Sequence, residues 1–279
     1  MKAYGTNIVA GISPGNKGKN IEDIPLFDLV EQASAELGTI DTSLIFEPPE
    51  RVLDAGREAI AAGIRQIIVF TSGVPPLDTI SLLKHAKINN TLVLGPGSHG
   101  IIVPVQHWLG TLQPQFYTPG KVGLISYSKH LSYEVAWELN RAKIGQSMVV
   151  SLGSDRIIGS SLPQWLSRLN ADPNTKAIVA IRQDLDETEE LTAYCRNYGY
   201  NKPIIVYLAG LLAPQERVFR DATTIISNYL SFSIPAVNRD KQAIRKLINA
   251  GIKVAKQPNE IPIMVKQAMN NEQLSMNNN

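Results

Sequence analysis

The stretch "LISYSKHLSYEVAWEL" passes from an apolar run into a helical pattern, with Ser126, Ser128 and Lys129 at the junction. Hydroxyls, a lysine and the unpaired N–H groups of a helix start together make an anion site, where the helix dipole adds about 0.3–1 kcal/mol per charge. Serine as a plain N-cap explains the same residues without a ligand. The loop "LGSDRIIGSS", with Gly153, Ser154, Asp155 and Gly159, is a second candidate of the same kind. Neither contains the Gly-Lys-Ser/Thr of a P-loop. Four further loops, "SPGNKG", "EPPE", "TSGVPP" and "GPGSHG", combine Pro, Gly and small hydroxyl residues, which allow a flat or phosphate-bearing ligand to approach the backbone closely. Each taken alone is also an ordinary turn.

These loops follow apolar runs, and that placement is what links them. "TNIVAGI", "SLIF", "RQIIVFT" and "TLVLG" alternate with amphipathic segments such as "LFDLVEQASAEL" and "RVLDAGREAIAAG". Continuous apolar strands between helices imply a parallel sheet covered on both faces, an α/β doubly wound fold. In such sheets ligands sit outside the carboxyl ends of the strands, where the loops converge. After "GTLQPQFYTPG" the rhythm restarts with "KVGLISYS", "SMVVSLG", "KAIVAIR", "KPIIVYLAG" and "IKVAK". The polar, proline-bearing link places a domain boundary near Pro119, giving a first domain over 1–119 and a second over 120–270. The asparagine-rich 271–279 reads as a disordered tail.

Composition narrows the partners. The 279 residues are 44% hydrophobic with a formal net charge of +2, which suits a globular protein and offers no basic stripe for nucleic acid. No run approaches the ~18 apolar residues of a membrane helix. A single cysteine, Cys195, cannot staple the fold and fits packing in a reducing, cytoplasmic setting. The histidines His85, His99, His107 and His130 do not lie at metal-ligand spacing, and no metal site is expected. His130 is the one histidine next to a predicted anion site, as a catalyst or as an ordinary surface or core residue.

Taken together, "AYGTNIVAGISPG", "TSGVPPLD", "GPGSHG", "PGKVGLISYS", "LSYE", "GQS" and "LAGLLAP" resemble the alpha subunit of succinyl-CoA synthetase, colinearly from Ala3 to about Met269. The resemblance implies a Rossmann-like coenzyme-A-binding domain followed by a flavodoxin-like doubly wound domain. It also implies an ATP-grasp beta subunit as partner, through which Mg-ATP or Mg-GTP would act. By the same resemblance Pro14, Pro48, Gly73 and Pro75 fall on the CoA-side loops. The family's CoA-side lysine reads Asn16 here, with Lys17 one place along and able to reach a phosphate.

Departures concentrate where the family does its chemistry. The phosphorylated histidine lies in a Gly-His-Ala segment, which here reads Arg220-Asp221-Ala222. The Gly-Glu pair that holds that histidine reads Arg182-Gln183, and an amide cannot supply the carboxylate's charge. The glycine after the family's counterpart of Ser128 has become Lys129, and the cysteine of the family's Gly-Pro-Asn-Cys-Pro-Gly has become Ser98. Two readings follow. In one, the chain has lost phosphohistidine chemistry and serves as a CoA-binding or subunit-interaction protein. In the other, it is an active ligase making acyl-CoA from acid, CoA and nucleotide with a different phosphate carrier, for which Asp221 as an acyl phosphate is the candidate. Finally, "MKAYG" reads as the last turn of a helix closed by Gly5, followed by a buried strand at 8–12, so that one further βα unit of roughly 25–30 residues is expected upstream.

Overall fold

The computed structural model describes residues 1–182, 188–198, 200–209 and 237–276. A single 3-10 turn, Lys2–Tyr4, ends at Gly5, whose φ of +97° is the left-handed value expected of a C-terminal glycine. There follow β1 (Gly11–Ile12), β2 (Asn20–Ile21) and β3 (Ile24–Phe27), a small sheet of order β1-β3-β2 in which β1 runs parallel to β3. Helix α1 (Val30–Leu37) leads to β4 (Thr42–Ile45), α2 (Val52–Ala61), β5 (Gln66–Val69), α3 (Pro76–Ile88) and β6 (Leu92–Leu94). These strands form a second, all-parallel sheet of order β4-β5-β6. Among the described residues, both β1 and β4 have a strand on one side only. That explains a departure from the reading of 8–12 as a buried strand: the ladder covers two residues, and Ile12 is exposed.

The remaining strands make one seven-stranded sheet. A hairpin of β7 (Gly100–Val103) and β8 (His107–Gly110) precedes β9 (Pro119–Ser126), α4 (Lys129–Arg141), β10 (Gln146–Ser151), α5 (Leu162–Ala171) and β11 (Ala177–Arg182). Then come α6 (Thr188–Tyr198), β12 (Ile204–Leu208), α7 (Val237–Asn249), β13 (Lys253–Ala255) and α8 (Ile261–Met276), whose last turns take in 271–276 of the stretch read as a disordered tail. The order β13-β12-β11-β9-β10-β7-β8 holds five parallel strands, and the hairpin attaches antiparallel to β10. Within the parallel part this is the 2-1-3-4-5 order of flavodoxin-like folds, whose strand order reverses between β9 and β11.

Successive strand residues face opposite sides, so each central strand feeds two cores. Leu124, Val149, Val179 and Ile205 pack with Val135 and Leu139 of α4 and Ile261 and Val265 of α8. Ile125, Val150, Ile178 and Val206 pack with Trp165 and Leu166 of α5, Cys195 of α6 and Leu247 of α7. Ile68 and Leu94 of the first half join this second cluster, so the halves share a core. Burial pushes the Cys195 thiol up to about 11, which makes it an inert packing group. No helix among the described residues is long and apolar enough to cross a membrane.

Candidate functional site

Strand register gathers the candidate loops. Gly100 of β7 lies opposite Ser151 of β10, Ser151 opposite Ser126 of β9, and Ser126 opposite Ile181 of β11. Residues just beyond these positions, namely His99, Gly153, Ser128 with Lys129, and Arg182, therefore emerge along one rim. Its centre is the β9/β11 switch point, where a doubly wound sheet opens a crevice.

At that point Ser126 is buried and its hydroxyl is spent on the turn: Oγ donates to the Ser128 carbonyl (2.6 Å) and accepts from the Ser128 N–H (3.0 Å). Ser128 is the N-cap of α4, and its Oγ is 3.5 Å from the Leu131 N–H. Ser126 thus braces the helix start, and Lys129, half-buried in the first turn, supplies the charge. Arg182 follows on the neighbouring strand, only 5% exposed, with its guanidinium 5.3 Å from the centre of the Tyr127 ring. Basic groups from two strands flank the switch point.

The loops after β6 and β10 are laced together. Ser98 Oγ donates to the Ser151 carbonyl (2.6 Å) and accepts from the Gly100 N–H (2.9 Å), and the His99 N–H donates to Ser151 Oγ (3.1 Å). Ser98 is accordingly a buried bracket with both hydroxyl roles filled. Close approach explains two glycines: a Cβ on Gly153 would meet the Pro96 carbonyl oxygen at 2.4 Å, and one on Gly97 would meet Ser154 Oγ at 2.3 Å. Gly153 serves this closure.

Asp155 ties the two halves. Its carboxylate accepts from the Gly73 N–H (2.9 and 3.1 Å) and the Val74 N–H (3.2 Å), 82 and 81 residues away. Pro75 and Pro76 start α3 without N–H groups, so Gly73 and Val74 are the donors ahead of that helix, and Asp155 holds both. The loop carrying Gly73 and Pro75 is thereby fixed against the rim of the larger sheet.

Two aromatic side chains form a shelf beside it. Phe46 and Phe70 follow neighbouring strands at Ile45 and Val69, which are paired in register, and their rings stack at 4.3 Å and 4°. Phe46 is 56% exposed, leaving one ring face available to a flat ligand. Pro48 is exposed just beyond it. Sequence reasoning missed this shelf, although the pattern of a phenylalanine ending two successive strands was there to read. Pro14 and Lys17 lie exposed on a separate loop held by its own bonds, Gly15 N–H to Asp28 Oδ1 (2.7 Å) and Asn16 Nδ2 to Ser13 Oγ (2.9 Å). Those bonds leave the two residues on their own loop, apart from the Asp155 bracket. An exposed aromatic face, backbone that approaches closely and basic groups fit a long ligand with a flat base and phosphates.

His99 adds a titratable group. Its Nδ1 is 3.1 Å from Thr111 Oγ1, and burial, followed by the nearby charges of Lys129 and His130, lowers its pKa below the ordinary 6.5. The imidazole is therefore neutral at pH 7. Gln183 and Asp221 lie outside the described residues.

Comparisons with known proteins agree with this architecture. A family of CoA binding domains matches residues 1–73, and the family described as succinyl-CoA ligase like flavodoxin domain matches residues 119–229. The chain is 35% identical over 270 residues to subunit alpha 2 of the ADP-forming succinate–CoA ligase of Archaeoglobus fulgidus, covering 96% of this chain and 91% of that protein. It is 38% identical over 232 residues to the malate–CoA ligase subunit alpha of Methylorubrum extorquens, covering 81% and 78%. Among solved structures, Methanosaeta concilii ATP citrate lyase in complex with (3S)-citryl-CoA shares the fold, with a TM-score of 0.73 at 19% identity over 88% of this chain and 41% of that one. This chain spans about two-fifths of that enzyme.

Proposed function

Because the chain belongs to the succinate–CoA ligase alpha-subunit family, we propose that it is a CoA-binding alpha-type subunit that docks on an ATP-grasp beta subunit and performs no phosphohistidine chemistry at position 221. The observation that carries the reading is the Asp155 bracket, which holds the Gly73–Pro75 loop of the first half on the switch-point rim of the second. A CoA molecule on residues 1–119 then has the Phe46 face for its base, close backbone at Pro48, Gly73 and Pro75, and Pro14 and Lys17 at its phosphates. Residues 120–270 present to the partner the rim at Lys129, on the helix start that Ser126 and Ser128 brace and beside the loop that Gly153 closes, and through that partner Mg-ATP or Mg-GTP would act. The relatives' names as alpha subunits of CoA ligases support the division of labour. Aspartate at 221 and glutamine at 183 support the loss of the phosphohistidine, since nucleophile and orienting carboxylate are absent together.

Calorimetry with CoA tests the binding half: saturable heat that weakens in Phe46→Ala supports it, and a flat titration overturns it. Incubation with a beta subunit and labelled Mg-ATP tests the other half. Absence of acid-labile label is the expected result, and acid-labile phosphate on a histidine overturns it. Hydroxylamine-sensitive label lost in Asp221→Asn would instead establish an active ligase with an aspartyl carrier.

A further inference from the structure

We infer that residues 1–6 are a strap guarding the outer edge of the seven-stranded sheet, and that this edge, once bared, pairs with the same edge of a second copy of the chain. Strand β8 ends the sheet order, so among the described residues no strand lies along its far side. In an antiparallel ladder alternate residues turn their N–H and C=O groups to opposite sides. On β8 the outward groups meet side chains of the strap. The Trp108 N–H donates to Thr6 Oγ1 (3.0 Å), and the Thr6 hydroxyl donates to the Trp108 carbonyl (2.7 Å). The Gly110 N–H meets Met1 Sγ (3.2 Å). At Trp108 a single hydroxyl thus fills both roles of a neighbouring strand.

The hairpin turn is held by the same segment. Val105 is 70% exposed with φ +60°, a left-handed conformation that a β-branched residue rarely adopts. Its N–H donates to the Tyr4 hydroxyl (2.8 Å), and the Tyr4 ring meets Trp108 edge to face at 5.9 Å. Contacts from Met1 to Thr6 therefore span the hairpin from Val105 to Gly110.

A bare sheet edge is a template for strand addition, and the outward set on β8 is its own complement. Two β8 strands set antiparallel about a two-fold axis at Trp108 place this residue opposite Trp108 of the second copy, with N–H to C=O bonds exchanged both ways. The same register sets Gly110 opposite Gln106 of the second copy. The Gln106 N–H is spent within the turn on the Val103 carbonyl (3.0 Å), while its carbonyl oxygen lies under the strap, 3.8 Å from where a Cβ on Gly5 would stand. That carbonyl is the acceptor the Gly110 N–H needs. The bonds now made to Thr6 and Met1 are the ones the second copy would take over.

The test compares the whole wild-type chain with Thr6→Val, which keeps the shape and removes the hydroxyl, and with the double variant Thr6→Val/Tyr4→Phe. Thr6→Ser, which retains the hydroxyl, is the control. Analytical ultracentrifugation gives the mass over a range of concentrations, and amide hydrogen exchange reports protection across 105–110. The double variant should reach twice the wild-type mass at high concentration and return to it on dilution, where the Trp108 amide should exchange roughly tenfold faster than in wild type. Thr6→Val should show both changes more weakly, and it carries the test if the double variant does not fold. Thr6→Ser should match wild type. Faster exchange without any gain in mass would overturn pairing with a second copy. Unchanged exchange and mass, or a doubled mass in Thr6→Ser as well, would overturn the guarding role of the strap.

Discussion

Leu124 and Leu44 are both apolar residues inside parallel strands, yet Leu124 is sealed from water and Leu44 is half-buried. The difference lies in their neighbours. Leu124 belongs to an eight-residue strand flanked by β10 and β11 and covered by helices on both faces, whereas among the described residues β4 has β5 on one side and an unpaired edge on the other. Strand length follows the same division, with two to four residues in each strand of the first half against five to eight in β9 to β12. The larger sheet is the rigid frame. The smaller sheets bear the exposed loops, and those loops stay in place through contacts with the frame.

This contrast is sharpest in stability. Leu124→Ala removes a side chain packed on all sides and should cost about 2–5 kcal/mol, while Leu44→Ala should cost less than half as much because water already reaches the site. Urea denaturation of the two variants checks it. Equal losses would mean that the edge of β4 is covered in solution. Asp155→Ala comes next. Removing a carboxylate that accepts from two N–H groups should cost about 1–3 kcal/mol. It should also split calorimetric unfolding into two transitions, the first half melting earlier. Asp155→Asn, keeping one acceptor oxygen, should fall between. A single unshifted transition in Asp155→Ala would show that the shared core of Ile68, Leu94 and Ile125 suffices to couple the halves.

Phe46→Ala addresses function and should have a smaller effect. Stacking of one aromatic ring contributes about 0.5–1.5 kcal/mol, so CoA affinity should fall roughly two- to tenfold with little change in unfolding, because Phe46 is mostly exposed. Unchanged affinity would move the base of the ligand elsewhere on the rim.

Much of this arrangement was legible in the residues. Apolar runs such as "KVGLISYS" and "KAIVAIR" became β9 and β11 because their unbroken hydrophobicity needs cover on two faces, and Ser128 caps α4 where the pattern changes period. What escaped depends on distant pairing. Nothing local to "GSD" indicates that Asp155 accepts from Gly73 across 82 residues. Nor does "GIIVPVQHWLG" announce that its hairpin completes the edge of the larger sheet, since an antiparallel pair looks the same in sequence whichever strand receives it. Ser126 and Ser98 were read as ligand groups or replaced chemistry because hydroxyls suit both tasks. Only the bonds to Ser128 and Ser151 reveal them as braces.

The smallest expected effect separates the rim from the rest of the surface through pH. His99 has a folded pKa lowered below 6.5 by burial and by Lys129 and His130, so the folded protein resists protonating it more than the unfolded chain does. Stability from this source is present above pH 6.5 and is lost as pH falls through the lowered value, because protonation then favours the unfolded state. The melting temperature should thus drop on acidification from pH 7 to 5, and His99→Asn should flatten part of that drop while leaving the value at pH 7 nearly unchanged. Adding CoA sharpens the test: where the ligand's negative charge extends from Lys17 to the rim it offsets the charge of Lys129, and the His99 pKa should then rise toward its ordinary value. Histidine ring signals followed by NMR with and without CoA would show that upward shift. A His99 signal whose midpoint is the same in both conditions would mean the ligand's charge never reaches the rim, and the two regions joined by Asp155 would then be coupled in structure without being coupled in binding.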